Sequence, residues 1–186
     1  MSETLMISAC SPTMAGLKTG SLFSCTFESR DELLKSIRRF NRIFSSRGVR
    51  LLPLRIGERR ALIYMYRPDR LRRDLKDDLA GRLLSERAYP SASPGQCVAE
   101  LRRRLDRNKD FPHEIGLFLG YPAEDVDGFI RCGARAAKRS GAWKVYGDEE
   151  EAAKKFALYR KCTDAYKRAY QRNGAFDKLV VSVKNN

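Results

Sequence analysis

Histidine and tryptophan are scarce in this 186-residue sequence, with one copy each at His113 and Trp143. A single histidine excludes a histidine-based catalytic triad and a multi-histidine metal site within one subunit. The five cysteines contain no C-x₂-C pair, which zinc and iron–sulfur sites usually possess. Because the cysteines are odd in number and widely spaced, the sequence argues against a disulfide framework, and we expect free thiols.

Long apolar runs are missing as well. No stretch approaches the roughly 20 apolar residues of a transmembrane helix, and the first residues lack the basic start of a signal peptide. We therefore expect a cytoplasmic protein. With 42% hydrophobic residues, the chain has enough apolar content for one packed domain over residues 1–186. A stretch rich in proline, serine and glycine marks a candidate sub-boundary near residues 89–95.

Acidic residues are too few to balance the basic ones. The 37 lysines and arginines exceed the 23 aspartates and glutamates, which gives a formal net charge of +14. Such a charge favours attraction to polyanions and leaves the fold open. The candidate partners are RNA or DNA bound without sequence preference, an anionic lipid surface, and an acidic protein.

Hydrophobic periodicity predicts an α+β fold. Apolar and β-branched runs indicate antiparallel strands at residues 21–27, 49–56 and 60–66, with residues 142–146 as a candidate fourth strand. Helical spacing dominates elsewhere, above all in the C-terminal half. The predicted architecture is a small antiparallel sheet of three to four strands that is covered by helices. Residues 1–20 are predicted to form a short apolar segment followed by a turn-rich loop.

The least charged long stretch is FPHEIGLFLGYPAEDVDGFI, at residues 111–130. Its alternation would allow a strand, but Pro112 suits a first helical turn and Gly120 suits a helix end. We therefore predict two short helices joined by a tight turn, an arrangement like a helix-turn-helix unit. Three carboxylates in the second helix would repel a DNA backbone, which argues against DNA reading by this helix.

His113-Glu114 begins an H-E-x-x-H metalloprotease motif, but Leu117 stands where the second histidine is required. The segment HEIGLFLGYP is followed by WKVYGD at residues 143–148. This pair resembles the signature of an uncharacterised bacterial family, domain of unknown function 3793. Family members look similar also in the Cys-x-Pro-Thr opening, here at residues 10–13, and in a cysteine near Cys162. The resemblance implies relatives without implying an activity.

A basic surface is the first candidate functional site. The helix predicted over residues 29–47 has apolar side chains on one face and bases on the other, and arginines continue into the two following strands. Arginine forks suit phosphates, and such clustering is expected of a nucleic-acid-binding surface; the opposing interpretation is a solvated basic surface without a ligand. A second basic cluster lies at residues 102–104. The predicted polyanion-binding residues are Lys35, Arg38, Arg39, Arg42, Arg50, Arg55, Arg59 and Arg60.

A thiol or ligand site is the second candidate. Lys18 could lower the pKa of nearby Cys10, or the loop that joins them could hold an anion through its N–H groups. Alternatively, Cys10 is a small buried hydrophobic residue. The candidate residues of this site are Cys10, Thr13, Lys18, His113 and Cys162.

Three functions remain open from the sequence. The preferred hypothesis is a non-catalytic binding module for nucleic acid or another polyanion. The alternatives are a thiol- or metal-linked protein of redox or iron metabolism that uses Cys10, and an adaptor for an acidic protein partner. A hydrolase is least favoured because general bases are scarce, so no catalytic residue, metal or cofactor is assigned.

Overall fold

A computed structural model describes residues 1–90, 93–107 and 111–183. Over these residues the chain forms a three-stranded antiparallel sheet, a two-stranded ribbon and eight α-helices, which confirms the predicted α+β class and the helix-rich C-terminal half. The strands are β1 Gly20–Thr26, β2 Arg50–Ile56, β3 Arg60–Tyr66, β4 Arg139–Ser140 and β5 Lys144–Val145. The helices are α1 Glu3–Met14, α2 Arg30–Phe44, α3 Pro68–Asp74, α4 Asp78–Ser85, α5 Pro94–Arg107, α6 Ile115–Phe118, α7 Ala123–Cys132 and α8 Glu149–Asn173.

The main sheet has the strand order β1–β3–β2, so β3 is its central strand. Strands β2 and β3 form a hairpin in which Gly57 N donates to the Arg60 carbonyl at 2.8 Å. Pro53 lies in the edge strand β2, next to a register shift between Pro53 and Arg55. An edge strand tolerates proline because its outer N–H groups have no neighbouring strand to bond.

The two faces of the sheet bury two separate hydrophobic cores, because alternate side chains along a strand point to opposite sides. On one face, Ile63 and Met65 pack with residues of α1 and α2 and with Phe176; we call this the first core. On the other face, Leu54 and Tyr64 pack with residues of α3 to α7; we call this the second core. The fold is therefore a sheet between two helical layers.

The turn-rich loop predicted over residues 8–20 is wrong in its first part, because helix α1 runs through Pro12 to Met14. Residues 10–14 are buried, with Cys10 and Met14 in the first core, whereas turns and bends occupy residues 15–19. The helix ends just afterwards, where Leu17 N donates to the Pro12 carbonyl at 2.8 Å. Proline weakens a helix, but burial of an apolar helix face overrides local propensity.

The strand predicted at residues 142–146 exists in shortened form but does not join the main sheet. Lys144–Val145 pairs with β4 in the separate ribbon. Trp143, Val145 and Phe156 form a third, smaller cluster between the ribbon and α8. The Trp143 and Phe156 rings meet edge to face with centroids 4.5 Å apart. The pattern showed a strand, whereas its partner depends on packing that no local pattern contains.

Residues 111–130 form the predicted pair of short helices. Helix α6 is one turn long, and Gly120 follows it with a φ of 74°, in the left-handed region that favours glycine. Pro122 is the N-cap of α7. A Cβ atom added to Gly116 would lie 2.7 Å from Cγ2 of Val126. A larger residue there would push the two helices apart.

None of the helices within the described residues is long and apolar enough to cross a membrane. The single domain over residues 1–186 and the sub-boundary near residues 89–95 stay predictions. Residues 91 and 92 of that stretch lie outside the described residues.

Arg67, directly after the central strand, is 2% exposed and joins three distant parts of the chain. Its Nε donates to the Thr13 carbonyl at 2.7 Å, and its Nη2 donates to the Met14 carbonyl at 2.6 Å. Nη1 donates to the Arg47 carbonyl at 3.1 Å, and Nη2 also donates to the Val181 carbonyl at 2.7 Å. The guanidinium thus caps α1 and holds the end of α2 and the C-terminal segment against it.

Replacing Arg67 by lysine should destabilise the protein strongly, because an ammonium group cannot reproduce the planar fork that bonds four carbonyls. We expect a loss of about 3 kcal/mol or more in the free energy of unfolding, since hydrogen bonds to a buried charge are among the strongest. Urea denaturation measures this loss. The control is Arg72→Lys, which changes an exposed side chain. Equal midpoints for the two variants would contradict this role of Arg67.

Candidate functional site

The predicted polyanion-binding residues are all exposed, but they are divided between two sides of the sheet. On α2, Lys35, Arg38, Arg39 and Arg42 face solvent, because the opposite side of this helix is buried in the first core. Arg59, in the turn before β3, lines a shallow depression together with Lys35. We call these five residues the α2 surface.

The remaining three residues, Arg50, Arg55 and Arg60, lie on the other face of the sheet. Arg50 is paired with Tyr66 and Arg55 with Leu62, and directly paired residues share a face. Tyr66 and Leu62 both pack against the second core. Arg60 takes the same side because the residue after it belongs to the first core. The eight predicted residues therefore do not share one surface.

Arg50 lies at a groove that was not predicted from the sequence. Two adjoining cavities, of about 710 and 550 Å³, share Tyr66 and Gly95 in their linings. They extend between β2, the end of β3, the helices α3 and α4, and the outer side of α5 as far as Asp106. Of the described lining residues, Asp106 alone carries a carboxylate. We call this feature the Tyr66 groove, and its cationic residues are Arg50, Arg72, Lys76, Arg102 and Arg103.

Three of the five cations in the Tyr66 groove form no ion pair with a described residue. Arg72 and Arg103 form ion pairs, at 2.6 and 2.5 Å, with carboxylates three residues away. Arg50, Lys76 and Arg102 form no ion pair within the described part of the chain. The groove therefore keeps a net positive charge that a polyanion can meet.

Tyr66 supplies an aromatic surface at the centre of the groove. Its ring stacks on that of buried Tyr64, with centroids 4.7 Å apart and planes 1° apart. The Tyr64 hydroxyl donates a hydrogen bond to the Phe118 carbonyl, which holds the two stacked rings in place. Burial raises the pKa of Tyr66, and the charge of Arg50 acts in the opposite direction. The phenol is therefore neutral near pH 7, and its half-exposed ring is suited to stacking against a flat partner.

Cys10 and Thr13 are buried in the interior of the fold, where their side chains have a structural role. Cys10 is fully buried in the first core. Burial raises its pKa far above the ordinary value, and the nearby charge of Lys18 offsets this only in part. The hydroxyl groups of Thr13 and Ser21 are buried and hydrogen-bonded to each other at 2.9 Å. The Cys10 sulfur thus stays a protonated thiol, in keeping with the interpretation of Cys10 as a small hydrophobic residue.

Lys18 lies outside that core and lines a cavity of about 310 Å³ between α3, α7 and α8. Its Nζ is 5.1 Å from the centroid of the Tyr121 ring, a cation–π contact. Burial lowers the pKa of Lys18 to about 8. We call this cavity the Lys18 pocket, and other residues that line it are Thr19, Arg70, Asp74, Asp77, Lys155 and Tyr159.

The remaining members of the predicted thiol or ligand site lie elsewhere. His113 is exposed and meets the Phe129 ring edge to face at 4.8 Å, at a separate cavity of about 280 Å³ next to Trp143. Cys162 is half-buried on α8, and burial raises its pKa. Within the described residues, no three histidine, cysteine, aspartate or glutamate side chains are grouped to hold a metal ion. The structure therefore does not bring these residues together with Cys10.

Asp125 connects the two halves of the signature. This 3%-exposed carboxylate accepts from Trp143 Nε1 at 2.6 Å and from the backbone N–H groups of Tyr146 and Gly147 at 2.6 and 2.8 Å. The buried Glu114 has a similar role, since it accepts from the Tyr89 hydroxyl at 3.0 Å. The two buried carboxylates, Asp125 and Glu114, thus connect separate segments of the fold. Each of them has hydrogen-bond donors, which a buried charge needs in order to be stable.

These observations define a basic α+β protein whose charged groove and lysine-lined pocket are built on a sheet between two helical layers. The chain belongs to the family described as Protein of unknown function (DUF3793), which it matches over residues 6–180. The family suggested by the sequence resemblance is thereby confirmed. No curated protein and no solved structure matches the chain.

Replacing Asp125 by asparagine should loosen the ribbon from α7. The asparagine amide keeps one acceptor oxygen, but its NH₂ group replaces the other oxygen and faces N–H donors that Asp125 accepts from. We therefore expect a loss of about 2 kcal/mol in the free energy of unfolding. Because Trp143 is the one tryptophan of the chain, its emission should shift to longer wavelength as the contact opens. The control is Asp127→Asn, at a pair with Arg131 near the surface. Identical emission from both variants would contradict the assignment.

Stability should depend on pH through Lys18. Its amine releases a proton near pH 8 in the folded protein, against an ordinary pKa of 10.5. Between these values the unfolded chain binds more protons, so stability gains as pH rises. We therefore expect the wild type to become more stable relative to Lys18→Met from pH 8 to 10, as measured by urea denaturation. Cysteines titrate in both proteins and cancel in this comparison; parallel pH profiles would contradict the lowered pKa.

Proposed function

We propose that the protein is a non-catalytic binding module for single-stranded nucleic acid and that the Tyr66 groove is its binding surface. The observation that carries this proposal is the combination, in one groove, of an aromatic ring with Arg50, Lys76 and Arg102, none of them neutralised by a carboxylate among the described residues. Proteins that bind single strands without sequence preference combine a positive groove with rings on which bases stack.

The geometry favours the groove over the α2 surface. The depression beside the α2 surface is lined by Lys35, Arg59 and the half-buried Phe27, but also by the carboxylates of Glu28 and Glu32, which repel a phosphate chain. The Tyr66 groove offers both phosphate contacts and a place for a base. A single strand, unlike a duplex, presents unpaired base faces for such a contact.

The alternative based on Cys10 has less support. A thiol needs access and a thiolate form to react or to bind a metal, whereas Cys10 is fully buried and burial raises its pKa. An acidic protein partner would use the same positive charges as a nucleic acid, so a competition experiment has to separate these two partners.

The test compares two triple variants that remove the same charge from opposite sides of the sheet. The groove variant carries Arg50→Gln, Lys76→Gln and Arg102→Gln. The control variant, on the α2 surface, carries Lys35→Gln, Arg38→Gln and Arg42→Gln. Binding of a labelled oligouridine is followed by fluorescence anisotropy between about 50 and 200 mM salt, where phosphate contacts weaken steeply.

We expect the groove variant to reduce the slope of log K against log salt by about 2, because each lost phosphate contact contributes about 0.7 for a single strand. The control variant should change the slope much less. Tyr66→Leu should weaken binding about tenfold through lost stacking, with the salt slope unchanged.

Three outcomes would contradict the proposal. Equal losses in the two triple variants would mean diffuse attraction by net charge. No binding of the oligonucleotide by the wild type at about 50 mM salt would exclude nucleic acid as the partner. Displacement of the oligonucleotide by polyglutamate as readily as by unlabelled RNA would point to an acidic protein instead.

A further inference from the structure

The Lys18 pocket contains a cation, Lys18, that has no ion-pair partner among the residues that the structure describes. Lys18 is half-buried, and no carboxylate in the described part of the chain forms an ion pair with it. Its ammonium group forms a cation–π contact with Tyr121, at 5.1 Å from the ring centroid. A half-buried ammonium loses hydration, and an anion beside it would recover the lost interaction energy.

The carboxylates of this pocket are already engaged. Asp74 accepts a hydrogen bond from the Thr19 hydroxyl. Asp77 caps α4 by accepting from Ala80 N at 3.0 Å. Each carboxylate thus has a hydrogen-bond partner within the protein, and neither forms an ion pair with Lys18.

Two further cations line the same cavity. Arg70 donates through Nη1 to the Gly16 carbonyl, which holds it beside the loop that carries Lys18. Lys155 on α8 is 3.8 Å from Glu151, an ion pair at the surface. The pocket thus brings three positive side chains from three separate parts of the chain to one cavity that also contains two engaged carboxylates.

The walls of the pocket are partly aromatic. Tyr121 and Tyr159 both line it, and burial raises the pKa of Tyr121 to about 12 and raises that of Tyr159 as well. Both phenols therefore stay neutral near pH 7 and present rings and hydroxyl donors. A volume of about 310 Å³ suits a small molecule, since ligand cavities usually hold about 300 Å³ or more.

We propose that the Lys18 pocket binds a small molecule that carries one oxyanionic group, a carboxylate or a phosphate, on a flat body. The anionic group pairs with Lys18, and the flat body lies against the Tyr159 ring, because the Tyr121 ring is already stacked on Trp143 and contacted by Lys18. This site is independent of the proposed nucleic-acid function, because the Lys18 pocket and the Tyr66 groove share no lining residue.

The experiment uses benzoate and phenyl phosphate as probes of the two headgroups, phenol as the uncharged control, and isothermal titration calorimetry as the readout. At least one of the two anions should bind the full-length wild type, and phenol should bind at least about tenfold more weakly, because a hydrogen bond to a charged group is worth that factor or more. Lys18→Met should weaken anion binding by about the same factor. Lys35→Met, which removes an equal charge on the α2 surface, should leave it unchanged.

A second measurement needs no variant. Acetic anhydride acylates amines that are accessible and deprotonated, so it should label Lys18 in the free protein, and the bound anion should protect this site in peptide mass spectra. Absence of binding by either anion, equal binding by the wild type and Lys18→Met, or unprotected Lys18 in the presence of saturating anion would each overturn the proposal. An effect of Lys35→Met as large as that of Lys18→Met would overturn it too.

Discussion

The guanidinium of Arg67 is the interaction on which the rest of the structure depends. It follows the central strand, and it bonds carbonyl groups from the end of α1, from Arg47 after α2 and from Val181 in the C-terminal segment. No carboxylate pairs with it within the described residues; carbonyl dipoles, including the negative end of α1, solvate its charge instead. Because Arg67 fixes the end of α1, it also fixes the loop that places Lys18.

The sheet then separates two kinds of surface. One face is covered by α1 and α2, and the outer side of α2 carries a row of basic residues. The other face carries the Tyr66 groove, where β2 and β3 meet α3 to α5. The basic residues behind the net charge of +14 therefore lie on both sides of the sheet and do not form one uniform patch. The Tyr66 groove combines the half-buried Tyr66 ring with Arg50, Lys76 and Arg102, which form no ion pair among the described residues, and the proposed binding function rests on this combination.

Much of the fold was predictable because local periodicity decided it. The three strands of the main sheet, helix α2 and the helical pair around Gly120 occur where apolar spacing and glycine placed them. Helix α1 was missed because proline and small polar residues favour a loop locally, and burial in the first core outweighs that preference. The groove was missed because its cations come from distant positions. The cluster at residues 102–104 was a partial signal: Arg102 and Arg103 line the groove, whereas Arg104 turns inward and pairs with Glu100 at 2.7 Å.

The sequence by itself determined the α+β class, the excess of positive charge and the family. Its single histidine also excluded a histidine-based catalytic triad and a multi-histidine metal site within one subunit. Each of these follows from composition or from patterns within a few turns of chain. Only the tertiary structure decided that Cys10 is buried, that Asp125 joins two segments 18 residues apart, and that Lys18 lines a cavity without an ion-pair partner among the described residues. These properties depend on which distant side chains become neighbours, and that depends on the packing of α1 and the sheet around Arg67.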